Sequence, residues 1–534
     1  MAPLPRILVA FIIGILLTCC YPKAFGQQYA FIASVVLLFL IYLPLPFLAR
    51  KKGNTTTFGV LAILFAMTLG IVRAGFSHYA MSHPGYSKGK TVTATVAEYA
   101  VEKENSYSTV IDCGENGGKQ LVYLWSSGDR PMHLMPGEVI QFHPKYRRSV
   151  MREMEKTQAK GEEGRQLLGY QRHLYYSHIT TTQYANRWWK AKKSEHPSSF
   201  SWARLRKSIA DQYNTLELPS EEAAILTAMT LGDRRALRER GMTLRNRYAN
   251  AGVSHVLALS GFHLTIIYSL LDIFFLTSFF RRKRKWIPRL LIISCLWAYT
   301  LLAGSPPSLV RAAAMCTIIS LAQTFYGGKL SGLDALVLSA FIMLLFDPFS
   351  IMNVSFQLSY VSMFGITLAT PTLSRLQVVI NKSVMPSLAK KASSYFVGII
   401  LISIIATVST AGIVAYHFGT ISLVGIATNI CISILASALM TVAVAWWLFR
   451  LAFSIGTLLQ TSLGQGIDGA IGNVIHWLLN GMNQTVDYFS SLPHATLHWQ
   501  PSLWTSIIYY ALLGLLIYLC KKRFSHLHAL NNHK

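Results

Sequence analysis

Apolar runs, most of them close to the length of about 20 residues that crosses a lipid bilayer, recur along this sequence. They lie at 7–21, 29–49, 58–76, 255–280, 287–303, 308–326, 333–346, 353–370, 396–415, 421–449 and 502–520, while 451–463 and 467–480 are too short or too mixed to assign. One soluble core does not accommodate such runs. Of 534 residues 52% are hydrophobic and 13% charged, against roughly a quarter charged in an ordinary globular chain. The expected class is a polytopic α-helical membrane protein of about 10–12 transmembrane helices.

Charge is unevenly placed. Of 49 Lys/Arg and 23 Asp/Glu, residues 77–254 hold 26 and 18; the remainder holds 23 basic residues and five acids, Asp272, Asp334, Asp347, Asp468 and Asp487, with no Glu. A net charge of +26 suggests nucleic acid in a soluble chain, but in a membrane protein its first cause is cytoplasmic loops that set topology. Arg50-Lys51-Lys52, Arg281 to Lys285 and Lys390-Lys391 form such loops, and alternating the spans puts all three on the cytoplasmic side and 77–254 outside. Whether 451–463 crosses or re-enters decides the side of Lys521-Lys522-Arg523. The run ending in Cys19-Cys20 resembles a signal peptide with a lipid-attachment cysteine, but Thr18 precedes Cys19 and another run follows, so an uncleaved helical pair is expected. Among the seven cysteines only Cys113 falls in the polar segment, which implies no disulfide framework there.

The outer segment starts with alternating patterns at Thr91–Ala97, Tyr107–Asp112, Gln120–Trp125 and Glu138–Phe142, then a charged helical stretch near 149–174 and a last strand at Ser177–Tyr184. Five short strands with one helix suggest an inserted extracytoplasmic OB-like β-barrel. Such barrels bind single strands on basic and aromatic faces, which Lys119, Lys145, Arg147, Arg148, Trp188 and Trp189 would supply; a purely structural or docking module is the competing reading. From Phe200 to Asn250 the spacing of Trp202, Leu205, Ile209, Tyr213 and Leu216 predicts amphipathic helices on the outer leaflet.

A polar segment and three polar breaks interrupt the later spans. His255, Ser260 and His263 fall within about one face of a predicted helix around Gly261. A Ser260/His263 hydrolase is the enzymatic alternative, but i, i+3 neighbours on a helix are seldom oriented for proton transfer and no carboxylate nearby orients the His. A metal site fails on ligand count, and no cofactor is expected. Pro306 and Pro307 break the chain just before Arg311, whose charge inside a span is expensive unless it faces a partner or a watery cavity. Asp347-Pro348 precedes Phe356, Gln357 and Ser359, and Tyr416-His417-Phe418-Gly419 precedes Asn429. Lipid-facing helices have no use for these side chains, so they predict a polar path across the membrane, His255, Ser260, His263 and Arg311 first, then Phe356, Gln357, Ser359, His417 and Asn429.

Together these motifs, with Leu231-Gly232-Asp233-Arg234, the Ala258-x-Ser260-Gly261-x-His263 core, Gly304-Ser305-Pro306 through Arg311, Asp347-Pro348 through Ser359, and Tyr416-His417-Phe418-Gly419 through Asn429, resemble the ComEC family of competence proteins. The resemblance implies an inner-membrane channel importing single-stranded DNA in natural transformation, not an enzyme, with a cytoplasmic helicase-like ATPase and a periplasmic DNA receptor as partners. It implies N-terminal helices over 1–76, the barrel over 77–186, interfacial helices over 187–250, a channel core over 251–520 and a tail over 521–534. Many members add a metallo-β-lactamase-like domain; the chain ends at Lys534 with no His-x-His-x-Asp-His cluster, so a short form without its own nuclease is expected. No Gly-x-x-x-x-Gly-Lys-Ser/Thr loop is present to bind a nucleotide. A secondary transporter of a small anion is a further alternative, against which stands the lack of a second Ser-Gly-x-His copy.

Overall fold

The computed structural model describes residues 3–20, 55–82, 91–98, 100–103, 106–114, 118–125, 134, 136–158, 165–190, 202–233, 237, 242–277, 286–325, 330–382, 387–453 and 462–531. In chain order its elements are α1 (Pro3–Cys20), α2 (Thr55–Ser82), β1 (Val92–Val96), β2 (Val101–Lys103), β3 (Ser106–Asp112), β4 (Lys119–Trp125), β5 (Val139–Ser149), α3 (Val150–Gln158), α4 (Arg165–Tyr176) and β6 (Ile179–Lys190). There follow α5 (Trp202–Gln212), α6 (Ser220–Leu231), α7 (Met242–Asn250), α8 (Gly261–Thr277), α9 (Trp286–Leu302), α10 (Pro307–Phe325), α11 (Gly332–Phe346), α12 (Val354–Lys382), α13 (Ser387–Phe418), β7 (Thr420–Ser422), α14 (Gly425–Phe453), α15 (Ser462–Ser491), β8 (Thr496–His498) and α16 (Leu503–Asn531). The chain divides into two units, 1–209 with 317–353 and 210–316 with 354–534.

As the apolar runs predict, this is a mostly helical membrane protein with an inserted barrel. Among the described residues, Gly59–Tyr79, Phe396–Phe418 and Gly425–Arg450 are long and apolar enough to cross a membrane, and Leu4–Cys20, Gly261–Phe275, Trp286–Leu302, Gly332–Phe346 and Leu503–Ile517 are shorter apolar helices. The expected span at 29–49 and most of 451–463 lie outside the described residues.

In the first unit α1 and α2 pack closely because both are stripped to glycine at the crossing: a Cβ on Gly14 would stand 2.0 Å from Met67 O, and one on Gly70 2.3 Å from Phe11 O. Lipid gives apolar helices no hydrophobic reason to associate, so small residues that let backbones approach supply the contact. Strand pairings β1–β3, β3–β4, β4–β6, β6–β5 and β5–β1 close a five-stranded barrel, with β2 appended to β3 and only β4–β6 parallel. Five strands joined in that order form an OB-type barrel. Its core is Val92, Ala94, Val96, Ile111, Val122, Leu124, Ile140 and Phe142, the inward members of alternating strands. The single expected helix near 149–174 is two, α3 and α4, and β5 and β6 run on to Ser149 and Lys190, so Trp188 and Trp189 are strand residues.

The barrel is seated on the helices of its own unit by an aromatic knot. Phe349, fully buried in the 3-10 turn Pro348–Met352, meets the rings of His78, Tyr175, Tyr176 and His178 at centroid distances of 4.9, 5.6, 5.5 and 5.3 Å. Tyr175 OH lies 2.5 Å from His78 Nδ1, and Arg73 closes the end of α11 by donating to Leu345 O at 2.7 Å and Phe346 O at 2.5 Å. Beyond that end, Asp347 accepts from Phe349 N at 3.1 Å and Ser350 Oγ at 2.8 Å and meets His178 Nε2 at 2.8 Å.

Burial works against the Asp347 charge, but the hydrogen bonds from His178, Ser350 and Phe349 N–H, with the His178 charge, hold its carboxyl below the ordinary range. A depressed carboxylate stabilises the fold above its unfolded pKa of about 3.9, and that contribution fades as pH falls through the lower folded value. Asp347→Ala is therefore expected to cost about 1–2 kcal/mol, chiefly the lost cap because the half-exposed ion pair adds little; the difference from wild type should shrink below about pH 4. Unfolding midpoints of the detergent-purified protein across pH check both statements.

Candidate functional site

In the second unit three helix starts meet. The α9–α10 connection turns through two consecutive left-handed residues, Gly304 at φ 82° and Ser305 at φ 52°, with Ser305 N–H returning 2.8 Å to Thr300 O. Pro307 then opens α10 as its first residue, where a missing N–H does no harm. Ser308 Oγ donates 2.6 Å to Leu259 O, and a Cβ on Gly261 would stand 3.3 Å from Ala312 Cβ, so the starts of α8 and α10 adjoin. The expected helix through 255–263 needs correction here. Residues 252–260 form turns and α8 begins only at Gly261, because left-handed Gly252 (φ 79°) ends α7 and the chain must make its next turn before starting again.

Arg311 bridges to the third start. It is 2% exposed, and its Nη2 donates to Ser355 O at 2.8 Å and Ser355 Oγ at 3.2 Å in the first turn of α12, with the guanidinium 5.8 Å from the Phe356 ring. Among the described residues Nε and Nη1 are buried with no hydrogen-bond partner and no carboxylate lies within ion-pair distance. Acids of this unit that form ion pairs are engaged elsewhere. Arg247 reaches Glu221 Oε1 at 2.7 Å and Asp487 Oδ1 at 2.8 Å, His476 Nδ1 meets Glu222 Oε2 at 2.7 Å, and Asp468 takes Arg450 together with Trp446 Nε1 at 2.9 Å. Sequence reasoning counted Asp468 and Asp487 but missed these pairs and the Ser355 contact, since the partners sit on different helices, 18 to 254 residues apart, and leave no local signal.

His263, 1% exposed, uses Nδ1 to accept from Ser260 N–H at 3.1 Å, the reach-back that a Glu makes in a capping box, while its Nε2 is buried without a partner among the described residues. Ser260 Oγ stands 3.4 Å from the same Nδ1. A lone pair already taken by a backbone N–H is not available to deprotonate that hydroxyl, which counts against the hydrolase alternative.

His255 is exposed and lies within hydrogen-bonding reach of Asn429. Asn429 donates 3.0 Å to Ser403 Oγ and accepts from Ser433 Oγ at 3.4 Å, joining α13 and α14. Gly252 explains the closeness: a Cβ there would stand 2.7 Å from Gly425 Cα and 2.8 Å from Ser422 Oγ, and Ser422 Oγ donates 2.9 Å to Asn250 O.

Of the residues expected on a path, His255, Ser260, His263, Arg311, Phe356 and Asn429 therefore belong to adjoining segments of one unit. Gln357 and Ser359 follow half-buried on α12, and His417 stands exposed at the end of α13 against Tyr416 instead of joining the group. Asp347 and Pro348 belong to the other unit. Stretches expected to lie on the leaflet include α6, which is buried along most of its length between other helices.

In the barrel, Lys119 stands opposite Asp112, Arg147 is half-buried, and Lys145 and Arg148 are exposed. Trp188 is packed against the barrel core and donates to Trp125 O at 3.2 Å, so it is withdrawn from the outer face; Trp189 is 41% exposed, donates 2.8 Å to Gln141 Oε1 and packs its ring edge-on to His143 at 5.2 Å. Among the described residues no three His, Cys, Asp or Glu side chains cluster as metal ligands.

The competence protein family matches residues 229–523, a stretch that takes in all five motifs. The chain belongs to the competence protein family. ComE operon protein 3 of Bacillus subtilis (strain 168) is 26% identical over 262 residues, which is 49% of this chain and 30% of that relative's length. No solved structure matches.

The backbone contact at Gly252 gives a test of how the family motifs are held together. Gly252→Ala places a methyl group both in a left-handed residue and into Gly425, and is expected to destabilise by more than about 1 kcal/mol, whereas Gly261→Ala, at 3.3 Å from a movable methyl, should be milder. Folded yield and melting temperature by size-exclusion fluorescence rank the two.

Proposed function

We propose that this protein carries single-stranded DNA across the cell inner membrane during natural transformation, as a multi-pass channel with residues 77–254 outside the cytoplasm. The observation that supports this most is the gathering of family motifs around a buried Arg311 with no carboxylate partner among the described residues and an exposed His255 in one helical unit. Each phosphate of a strand has to cross a low-dielectric barrier, and a polar, cationic lining lowers that barrier without any bond being made or broken. On this reading His255, Ser260, His263, Arg311 and Asn429 line the path, Phe356 offers a stacking surface, and Gln357, Ser359 and His417 lie along its approaches. The breaks at Gly261, Pro306 and Pro307 keep helix ends, rather than helix walls, facing it.

The barrel serves as the outer contact. Trp189, His143, Lys145, Arg148 and Arg187 present an aromatic and basic surface on β5 and β6 of the kind on which bases stack and phosphates rest. A periplasmic DNA receptor delivers the strand to it, and a cytoplasmic helicase-like ATPase supplies the pull, since the 534 residues contain no phosphate-binding loop of their own.

In a deletion strain complemented with variants, Arg311→Glu should lower cytoplasmic entry of labelled DNA by on the order of 100-fold, the effect of about 3 kcal/mol lost in stabilising a charge within the membrane. Ser260→Ala should stay within about tenfold of wild type, and surface-bound DNA should be unchanged in both. Entry that persists unchanged in the deletion strain contradicts the proposal, and loss of entry with Ser260→Ala but not with Arg311→Glu favours the hydrolase.

A further inference from the structure

The surroundings of Arg311 pose an electrostatic problem that the described residues leave unsolved. Helix N-termini carry partial positive charge, and cations are favoured at the opposite ends. Yet Arg311 lies in the second turn of α10, bonds into the first turn of α12, and neighbours Ala312, which meets the first residue of α8. Three positive helix ends and a guanidinium are thus collected in one place, with Nε and Nη1 buried and unpartnered among the described residues. A buried donor without a partner is costly, and more so when it is charged. Burying an apolar side chain at this position would avoid that cost; a guanidinium is warranted if an anion occupies the site for part of the protein's working cycle.

We propose that Arg311, with the start of α12, forms a discrete binding site for one phosphate-class oxyanion. The guanidinium suits such a group because its planar fork can offer two N–H donors to two oxygens at once while Nη2 stays on Ser355. Helix starts are ready-made sites for the same class of anion, and the Phe356 ring, 5.8 Å from the guanidinium, holds the fork on one side. The inference deepens the passage reading and rests on it for the natural ligand, the phosphodiester backbone of the strand; a lipid headgroup or free phosphate presents the same chemistry.

The test uses the full chain, delipidated in a phosphate-free maltoside detergent, with its thermal unfolding midpoint followed against inorganic phosphate, a short single-stranded oligonucleotide and phosphatidylglycerol in separate titrations. Wild type should show saturable stabilisation by phosphate and by the oligonucleotide. Arg311→Lys, which keeps the charge and loses the fork, should weaken both by about tenfold, and Arg311→Gln should abolish them. Because Arg311→Gln removes a buried charge and can perturb folding, the Lys variant and the wild-type titration carry the decision. An Arg311-dependent response confined to phosphatidylglycerol supports the site and assigns it to a lipid headgroup. Absence of a saturable wild-type response to all three probes, or an unchanged midpoint in Arg311→Lys, overturns the site. Normal DNA entry in the deletion strain together with an intact phosphate response overturns the passage reading alone, whereas lost entry in Arg311→Glu with no phosphate response overturns the site alone.

Discussion

A guanidinium enclosed in a helical membrane protein has to be answered by something, and among the described residues it is answered by the backbone and hydroxyl of Ser355 and by no carboxylate. Holding it requires α10 to begin beside the end of the 252–260 turns and α12 to begin within reach of its side chain. That placement in turn requires the break at Gly304 to Pro307, the glycine contact at Gly252 and Gly425, and the His263 cap on α8. The breaks at 252–261 and 304–307 are therefore one construction, each fixing where a helix starts.

The other unit solves a different problem, the attachment of a β-barrel to helices. An OB-type barrel commonly uses the loops around its strand ends for recognition. Here the connection between β5 and β6 has grown into α3 and α4, and Leu174, Tyr175 and Tyr176 pack on Met81, Val110, Leu121 and Phe349. The long insertion seats the barrel, and the outer face of β5 and β6 carries an exposed Trp189.

Much of this was legible in the sequence because the signals are local. Apolar runs gave the helices, alternation gave the strands, and prolines with glycines gave the breaks at 304–307 and 347–348. The misreadings have physical reasons. His255 to His263 has helical spacing, yet a left-handed Gly252 and the cap at Ser260 delay α8 until Gly261. Trp188 and Trp189 look alike as neighbours, but on a strand adjacent side chains point to opposite faces, so one packs inward and the other outward. The pairing of Glu222 with His476, or of Arg247 with Glu221 and Asp487, joins residues that no periodicity relates.

The central claim is that the strand passes beside the gathered motifs inside the helical unit, not over the protein's lipid-facing surface. Site-directed photo-cross-linking in transforming cells addresses it directly, with a photoreactive amino acid placed at His255 or, as control, at Trp504, which is 74% exposed on α16. The account predicts that incoming labelled DNA is captured from position 255 and not from position 504. Capture from 504 alone, or from neither while DNA still enters the cell, would contradict it.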